Sequence, residues 1–432
     1  MVLQVIFLII VIASIVLFSK NIRKIIRNIK LGRDTNRSDR PAERLITMLK
    51  VAFGQSKMGK RPIAAIMHLF VYLGFVIINL EVLEIILDGL LGTHRLFSGP
   101  LGGLYNVLIA SFEILAALVL FAVLVFYARR NIVKLKRFTG VEMTNWPKSD
   151  ANMILIIEVL LMSAFLFMNA ADYKLQLSGA ANYIQAGSFP VSSQLSPLLP
   201  DSQSALIAIE RFCWWFHIIG IFAFLNYLPY SKHFHIILAF PNTYYSNLEP
   251  KGELSNMASV SNEVKAMLDP TFIPEPVAEG TRFGAKDVVD LTWKNLMDAY
   301  TCTECGRCTS VCPANITGKL LSPRKIMMDT RDRLVEVGNY IDKHGKDKED
   351  GKSLLDNYIS REEIWACTSC NACTDACPIN IDPLAIIVEL RRYSVMEEAQ
   401  APTSLNNMFA NIENNGAPWK YSPADRANWT NM

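Results

Sequence analysis

The sequence predicts an all-α protein in two parts, a five-helix transmembrane bundle followed by a smaller α-helical domain that carries cysteine motifs. Of its 432 residues, 51% are hydrophobic and only 19% are charged, whereas about a quarter of an ordinary soluble domain is charged. Every long apolar run lies within residues 1–230, and eight of the nine cysteines lie within 241–432. These observations indicate a membrane part and a soluble, metal-bearing part.

Five apolar runs are long enough to cross a hydrocarbon core of ~30 Å, which takes about 20 helical residues. They occupy about residues 2–19, 62–87, 104–127, 152–171 and 206–229. The first run has no basic residue before it and no small-residue cleavage site after it. It is therefore interpreted as a retained signal anchor rather than a cleaved secretory signal.

The loops between these runs carry their basic residues unevenly. Thirteen Lys and Arg lie within 20–61 and six within 128–150, whereas 88–103 and 172–205 hold one each. Basic loops stay on the cytoplasmic side, so we expect the N-terminus outside and the C-terminal domain in the cytoplasm. The 20–61 stretch is expected to form a helix along anionic lipid rather than to bind nucleic acid.

Histidines inside apolar spans are costly and are therefore candidate functional groups. His68 lies in the second span, His217 lies within the fifth, and His233 and His235 follow it. On one continuous helix, His217 and His235 would share a face about 27 Å apart, and His233 would point the other way. Facing histidines in a helical bundle are typical of b-type haem; a histidine that only hydrogen-bonds a neighbouring helix is the alternative. Depth in the membrane leaves the ligand pair open.

Charged groups near these spans are candidates for a quinone or proton site, because the reduction of a quinone consumes protons. Lys232 at the end of the fifth span and Glu158, near the cytoplasmic leaflet, are the preferred candidates. Glu81 and Glu84 are interpreted instead as hydrogen-bonded to a neighbouring helix or extended toward the headgroups. Cys213, alone in its span, is interpreted as a packing residue.

The strongest motif is a duplicated run of four cysteines with the spacing C-x2-C-x2-C-x3-C-P, at 302–313 and again at 367–378. This spacing holds [4Fe–4S] clusters: three cysteines of a run bind one cluster, and the fourth reaches the other. The predicted ligands are Cys302, Cys305, Cys308 and Cys377 for cluster one, and Cys367, Cys370, Cys373 and Cys312 for cluster two. A pair of all-thiolate zinc sites is the alternative, whereas the reducing cytosol excludes disulfides.

The cysteine runs lie among segments with helical periodicity, at 285–300, 322–340 and 383–399. We therefore expect an α-helical ferredoxin domain with two [4Fe–4S] clusters over 285–400. A connector at 241–284 precedes it, and a tail at 401–432 is expected to pack on the domain or on a partner. His344 lies in a charged loop between the two runs and is assigned no role.

Both halves resemble known electron-transfer subunits. On His68, His217 and the 231–235 stretch, the membrane half (1–240) resembles the cytochrome b subunit of respiratory nitrate reductases and the matching subunit of heterodisulfide reductases. On the eight cysteines and the 361–365 and 411–419 stretches, the remainder is similar to the iron–sulfur subunit of heterodisulfide reductase and of anaerobic glycerol-3-phosphate dehydrogenase. The whole chain resembles bacterial membrane iron–sulfur reductases that link electron-transfer flavoprotein to menaquinone.

This resemblance implies haem ligands and partners. It pairs His68 with His235, and it pairs His217 with a position that Ile78 occupies here, so one haem b is expected. A second haem would need an atypical ligand such as His94 or a methionine, and His217 and His233 are kept as alternative ligands. Relatives end in cysteine-rich CCG domains, but no cysteine follows Cys377, so the substrate site is expected on a CCG-type partner subunit.

The predicted function is electron transfer in the bacterial inner membrane. Electrons would pass between a soluble cytoplasmic partner, two [4Fe–4S] clusters, haem b and the menaquinone pool, with electron-transfer flavoprotein as a candidate link to that partner. No nucleophile motif, Walker loop or dinucleotide fingerprint occurs, so no catalytic residue is assigned. Two alternatives stay open: a haem-free membrane anchor for a ferredoxin domain, and a quinol-oxidising disulfide-reductase subunit that runs in reverse.

Overall fold

The structure, a computed structural model, describes residues 1–274, 282–346 and 348–431. Part of the predicted connector (275–281), one residue of the charged loop (347) and the last residue of the tail (432) lie outside the described residues. Within the described ranges the regular elements are helices, and β pairing is limited to isolated bridges. The all-α prediction is confirmed.

The longer helices are numbered here in chain order. They are α1 Val2–Ile29, α2 Pro41–Met48, α3 Pro62–Leu91, α4 Gly103–Asn131, α5 Trp146–Leu177, α6 Gln203–Tyr227, α7 His235–Tyr244, α8 Ala258–Leu268, α9 Trp293–Thr301, α10 Arg307–Val311, α11 Pro323–His344, α12 Arg361–Trp365, α13 Ala372–Ala376, α14 Pro383–Met396 and α15 Thr403–Asn415. Shorter helical turns lie at Leu49–Phe53, Met58–Lys60, Ser98–Leu101, Lys136–Phe138, Val141–Met143, Ser192–Leu195, Ser196–Leu198, Leu228–Tyr230, Lys232–Phe234, Val288–Asp290, Pro313–Ile316, Leu354–Asn357, Pro423–Asp425 and Asn428–Asn431. Helix α8 lies within the predicted connector at 241–284.

Five helices are long and apolar enough to cross a membrane, as the sequence predicts: α1, α3, α4, α5, and α6 with the turn that follows it. All five exceed the apolar runs from which they were predicted. Helix α1 continues ten residues past its run, through a stretch rich in Lys and Arg. These residues are good helix formers, so hydropathy locates a crossing but not the end of its helix.

The helix of the fifth span does not continue through His233 and His235. Helix α6 ends at Tyr227, two short turns follow, and α7 begins at His235. Pro229 lies in the first turn, where it lacks the N–H that a continuing helix needs, and Ser231 is extended with ψ 150°. The shared helical face expected for His217 and His235 is therefore wrong.

The chain divides into two compact units that do not follow sequence order. The first contains Met1–Arg27, Leu45–Tyr244 and Tyr300–Gly306, and the second contains Asn28–Arg44, Tyr245–Ala299 and Arg307–Met432. A short segment with the first two motif cysteines thus belongs to the unit of the membrane helices. The segment after α1 belongs to the unit with the remaining motif cysteines.

The first unit packs its membrane helices around an apolar core. Helix α5 packs along α6, and α3 packs along α4. The core includes Phe7, Tyr105, Phe165 and Trp214, and many large apolar side chains of α1 and α3 face outward. A helix that buries apolar residues and also exposes them is suited to a lipid surround.

The second unit packs α11 against α14 and incorporates the segment that follows α1. Arg33 pairs its backbone N–H with the Leu291 carbonyl at 2.7 Å and its side chain with Glu389 at 3.1 Å. Gly32 lies so close that an added Cβ would be 2.7 Å from the Trp293 nitrogen. This part of the basic 20–61 stretch, expected along the membrane surface, is built into the second unit instead.

Candidate iron–sulfur and histidine site

The two cysteine runs adopt the same backbone conformation. In the first run Glu304 and Gly306 have φ values of 54° and 70°, and in the second the equivalent Ser369 and Asn371 have 55° and 57°. Left-handed residues of this kind turn backbone N–H groups inward to form anion-binding concavities, which occur at many Fe–S sites. Each loop then enters a short helix, α10 or α13, so the duplication seen in sequence is also structural.

Within the second unit, α10 packs against α13 and brings the end of the first run to the second. The Cys312 and Cys370 thiols act electrostatically on Cys367, whose pKa is raised mainly by burial. Burial also raises the pKa of Cys373 to about 12. Thiols gathered in such a place become thiolates when a metal centre supplies the compensating charge, so this set fits a cluster.

Backbone groups also point at these sulfurs. The Ser369 N–H donates to Cys367 Sγ at 3.4 Å, and the Ile381 N–H donates to Cys377 Sγ at 3.3 Å. Hydrogen bonds to cluster sulfurs are among the factors that set a reduction potential. In the described ranges, no three His, Cys, Asp or Glu side chains converge closely enough to hold a single metal ion.

Arg391 on α14 holds the loop of the second run. Its guanidinium donates to the Ile364 carbonyl at 2.7 and 2.9 Å, to Ser369 Oγ at 3.2 Å and to the Cys367 carbonyl. It also lies over the Trp365 ring, 5.0 Å from the centroid. The cation thus binds the loop and places positive charge beside the Cys367 sulfur, and sequence reasoning did not find it.

Replacing Arg391 with methionine is expected to loosen this loop and to speed the loss of iron from the second run several-fold, because the fork of donors has no substitute. Iron per chain is measured over time in air. The Arg392→Met variant is the matched control, since Arg392 pairs with Glu389 and the Ser255 carbonyl instead. Equal iron loss in both variants would contradict the assigned role.

A buried ion pair in the first unit joins the first cysteine loop to the histidine segment. The Lys232 ammonium pairs with Glu304, donates to the Pro147 carbonyl at 2.6 Å and lies 3.8 Å from Asp150. Lys232 is 9% exposed and Glu304 is 2% exposed. Burial lowers the pKa of Lys232, and the Glu304 carboxylate opposes this shift. Glu304 lies between Cys302 and Cys305, and Lys232 lies three residues before His235.

The two residues predicted for a quinone or proton site, Lys232 and Glu158, are not adjacent. Glu158 lies eight residues after Asp150 on α5, which corresponds to about 12 Å along the helix. The Lys232 ammonium is occupied by its ion pair with Glu304. The structure therefore gives Lys232 a bridging contact that the sequence did not predict, and leaves Glu158 deeper in its helix.

Three histidines each have their Nδ1 atom within hydrogen-bonding distance of an oxygen. That of His68 lies 3.0 Å from Gln55 Oε1, that of His235 lies 3.1 Å from the Lys232 carbonyl, and that of His217 lies 3.0 Å from the Leu161 carbonyl. Metal-ligating histidines characteristically bind such an acceptor through one ring nitrogen while the other binds the metal. Three of the four predicted candidates, His68, His217 and His235, thus make the hydrogen bond that a ligating histidine makes through its other ring nitrogen.

The histidines near α7 form a group. The His233 and His235 rings are in edge contact at 5.5 Å between centroids, and both His235 and His68 act electrostatically on His233. Burial lowers the pKa of His233 to about 3 and also lowers that of His235. Neutral imidazole, the form that binds iron, is therefore the form expected at neutral pH.

Among the other residues considered in the membrane helices, Cys213 and Glu84 behave as expected and Glu81 does not. Cys213 lies in the apolar core of the first unit, as its interpretation as a packing residue requires. Glu84 accepts a hydrogen bond from the Tyr105 hydroxyl at 2.9 Å. Glu81 differs, because it is 3% exposed and its Oε2 has no hydrogen-bond partner among the described residues. The expectation that Glu81 is hydrogen-bonded or extends outward is wrong.

Comparison with known families identifies one part of the chain. Residues 301–381 match the 4Fe-4S dicluster domain. The cysteine-bearing part is a 4Fe–4S dicluster domain. This agrees with the predicted pair of clusters and with the repeated loop conformation.

Curated relatives extend the similarity to the whole chain. It is 29% identical to the "Probable iron-sulfur-binding oxidoreductase FadF" of Bacillus subtilis over 98% of this chain and 60% of the relative. It is 27% identical to an "EtfAB:quinone oxidoreductase" of Syntrophomonas wolfei over 92% of this chain and 55% of the relative. A "Probable membrane-anchored ferredoxin" of Chromohalobacter salexigens is 30% identical over 34% of this chain and 24% of the relative.

The chain spans less than two thirds of the length of the first two relatives. No solved structure matches it. These relatives are named as oxidoreductases or as a ferredoxin, one of them membrane-anchored, and the chain is accordingly related to iron–sulfur electron-transfer proteins.

Proposed function

We propose that the protein is a membrane electron-transfer subunit. Electrons would pass between a soluble cytoplasmic partner, two [4Fe–4S] clusters, haem b and the menaquinone pool. The observation that carries this proposal is the buried Lys232–Glu304 pair, which ties a cysteine loop to the segment that holds His233 and His235. Carriers must be held close together for electron transfer, and the protein's part is to hold and tune them.

The cluster ligands are proposed as a crossed set. Cluster one takes Cys302, Cys305, Cys308 and Cys377, and cluster two takes Cys367, Cys370, Cys373 and Cys312. The electrostatic contact of Cys312 with Cys367 supports the crossing for cluster two. These clusters would supply one-electron carriers, while the chain's own loops donate N–H groups to the sulfurs.

His68 and His235 are proposed as the ligands of one haem b. Each has an anchored Nδ1, and each acts electrostatically on His233. His217 is anchored by the Leu161 carbonyl of a different helix, and it is retained as an alternative ligand together with His233. Bound haem would supply a one-electron carrier within the bundle.

The partner and the quinone come from the relatives. One relative is named as an EtfAB:quinone oxidoreductase, and others are subunits of heterodisulfide reductases. These names support a quinone-linked complex. The family resemblance of the sequence makes a CCG-type subunit, linked to electron-transfer flavoprotein, the proposed soluble partner and menaquinone the proposed membrane substrate. Glu158 remains the candidate carboxyl group for the quinone, and Lys232 would act mainly by positioning the cluster loop.

The His68→Ala variant tests the haem assignment. Its purified form is expected to lose the haem b signal in a reduced-minus-oxidised visible spectrum while it keeps about eight iron atoms in two cubane clusters. His344→Ala is the control, because His344 is exposed in the second unit. His235→Ala should behave like His68→Ala. Retention of the haem in both ligand variants, or its loss in the control, would refute the assignment.

A second candidate function is a haem-free membrane anchor for a ferredoxin domain. The similarity to a protein named as a membrane-anchored ferredoxin favours it. The two functions differ in one measurement, the haem content of the unmodified protein. About eight irons without haem would support the anchor and refute the electron path through the bundle.

A further inference from the structure

A buried polar network lies at the end of the bundle where α3 is joined to α4. Its centre is Arg95, whose Nε donates to Asp172 Oδ2 at 2.6 Å and whose Nη2 donates to Asn169 Oδ1 at 2.9 Å. Nη1 donates to the Tyr105 hydroxyl at 3.2 Å. All four side chains are buried, none more than 7% exposed. None of them belongs to the cysteine or histidine sites.

Two further carboxyl groups extend this network and are themselves well partnered. Glu84 accepts from the Tyr105 hydroxyl at 2.9 Å and from a backbone N–H at 2.8 Å. Glu113 accepts from Asn169 Nδ2 at 3.2 Å and from two backbone N–H groups at 2.9 and 3.1 Å. Each of these carboxylates has the donors that a buried negative charge needs.

Glu81 lacks such donors. It is 3% exposed, and its Oε2 has no hydrogen-bond partner within the described ranges. It lies three residues before Glu84 on α3, on the same helical face. It lies within electrostatic range of Arg95, Glu84, Glu113 and Asp172.

Glu81 is the carboxyl group of the network that calls for a positive occupant, because its Oε2 has no donor among the described residues. The Arg95 guanidinium acts electrostatically on Glu81, and the carboxyl groups of Glu84, Glu113 and Asp172 oppose it there. An ionised carboxylate held out of water without a donor is strongly unfavourable. A metal cation would need several oxygen ligands around it, and in the part of the chain that the structure describes no three acidic, His or Cys side chains converge in this way. A proton is the occupant that fits.

The network also reaches the surface. Asp172 Oδ1 lies 3.5 Å from His94 Nε2, and the His94 side chain is 21% exposed. His94 belongs to the 92–102 connection, at the opposite end of α3 from His68. Glu81 follows His68 by thirteen residues, about 20 Å along the helix. Protons could therefore enter from the end of the bundle that is remote from the histidine group.

We propose that Glu81 is a proton-exchange site that serves the reduction of a quinone. Its carboxyl group holds a proton at rest, gives it up during turnover and is reloaded through the network around Arg95. This inference rests on the proposed function, because a quinone becomes a quinol when it takes two electrons from the carriers and two protons on its two oxygens. Glu81 would deliver protons for this step and become a carboxylate between deliveries.

The test uses the full-length protein in lipid vesicles that contain menaquinone, in wild-type form and as Glu81→Gln. Infrared difference spectra of the wild type, recorded in H2O and in D2O, are expected to contain the carbonyl stretch of a protonated carboxylic acid. This band should be absent from the spectra of the Glu81→Gln variant. Quinol formation, driven by a chemical reductant of the clusters, should fall about 100-fold, as for the loss of a proton donor. Glu263→Gln, on the exposed face of α8, is the matched control. It should retain the carbonyl band and the wild-type rate of quinol formation.

The outcomes separate this inference from the proposed function. A carbonyl band that persists in Glu81→Gln, or an unchanged rate of quinol formation in that variant, would overturn the proton site. If the wild type reduces its clusters but forms no quinol, the proposed function fails, whatever the infrared spectrum shows. Glu81→Asp keeps the carboxyl group, so it should show a shifted band and a smaller loss of rate, and it covers the case in which Glu81→Gln does not fold.

Discussion

Replacing Cys312 with serine is expected to remove the same cluster as replacing Cys370, and with it about four of the eight iron atoms per chain. The reason is the packing of α10 against α13, which brings Cys312 within electrostatic reach of Cys367. Iron per chain and the electron paramagnetic resonance spectrum of the reduced protein measure this effect. Cys305→Ser should remove the other signal.

The crossed ligand set makes this comparison decisive. If Cys312→Ser removes the signal that Cys305→Ser removes, each run binds its own cluster and the crossing is refuted. Cys213→Ser is the matched control, because that cysteine lies in the apolar core of the bundle. It should retain about eight irons per chain.

Breaking the buried Lys232–Glu304 pair is expected to have the largest effect on stability. Removal of one partner leaves an uncompensated buried charge, which typically costs 3–5 kcal/mol. Lys232→Met and Glu304→Gln should each lower the free energy of unfolding by about that amount. Thermal unfolding of the detergent-solubilised protein measures the direction of the change, and denaturant titration measures its size.

A double-mutant cycle separates the pair from its surroundings. The Lys232→Met/Glu304→Gln protein should lose less stability than the sum of the single losses, because residues in contact are coupled. Lys174→Met is the matched control, since its partner Asp201 is 98% exposed, and an exposed pair is worth about 0–1 kcal/mol. Additive losses in the Lys232–Glu304 cycle would show that the two residues act independently.

The same variants test the functional role assigned to this contact. If the pair positions the cluster loop beside the histidine segment, both single variants should slow the reduction of haem by reduced clusters. Iron and haem content should stay unchanged, since neither residue is a proposed ligand. Unchanged electron transfer in a destabilised protein would limit the pair to a structural role.

The membrane helices could be predicted because their signal is local. A run of about 20 apolar residues meets the thickness of a bilayer wherever it occurs, and all five runs became helices. Their ends could not be predicted in the same way. Helix α1 continues through Lys and Arg, whose helix propensity is unrelated to hydropathy, and α6 ends just before Pro229.

The histidine group illustrates a different limit. A helical projection placed His217 and His235 on one face, but this required a continuous helix. The extended backbone at Ser231 changes the direction of every residue that follows it. The structure instead links His233 electrostatically to both His235 and His68, an association that depends on how α3 and the segment after α6 pack.

The sequence alone determined the five helices, the duplicated cysteine loops and the chemistry of the thiols, because each follows from the spacing of residues along a short stretch. Tertiary structure decided which distant groups meet. Lys232 and Glu304 are 72 residues apart, Arg391 is 24 residues from the Cys367 carbonyl that it binds, and Arg95 is 77 residues from Asp172. No local pattern encodes such pairs, since a buried charge acquires its partner only when packing removes both from water.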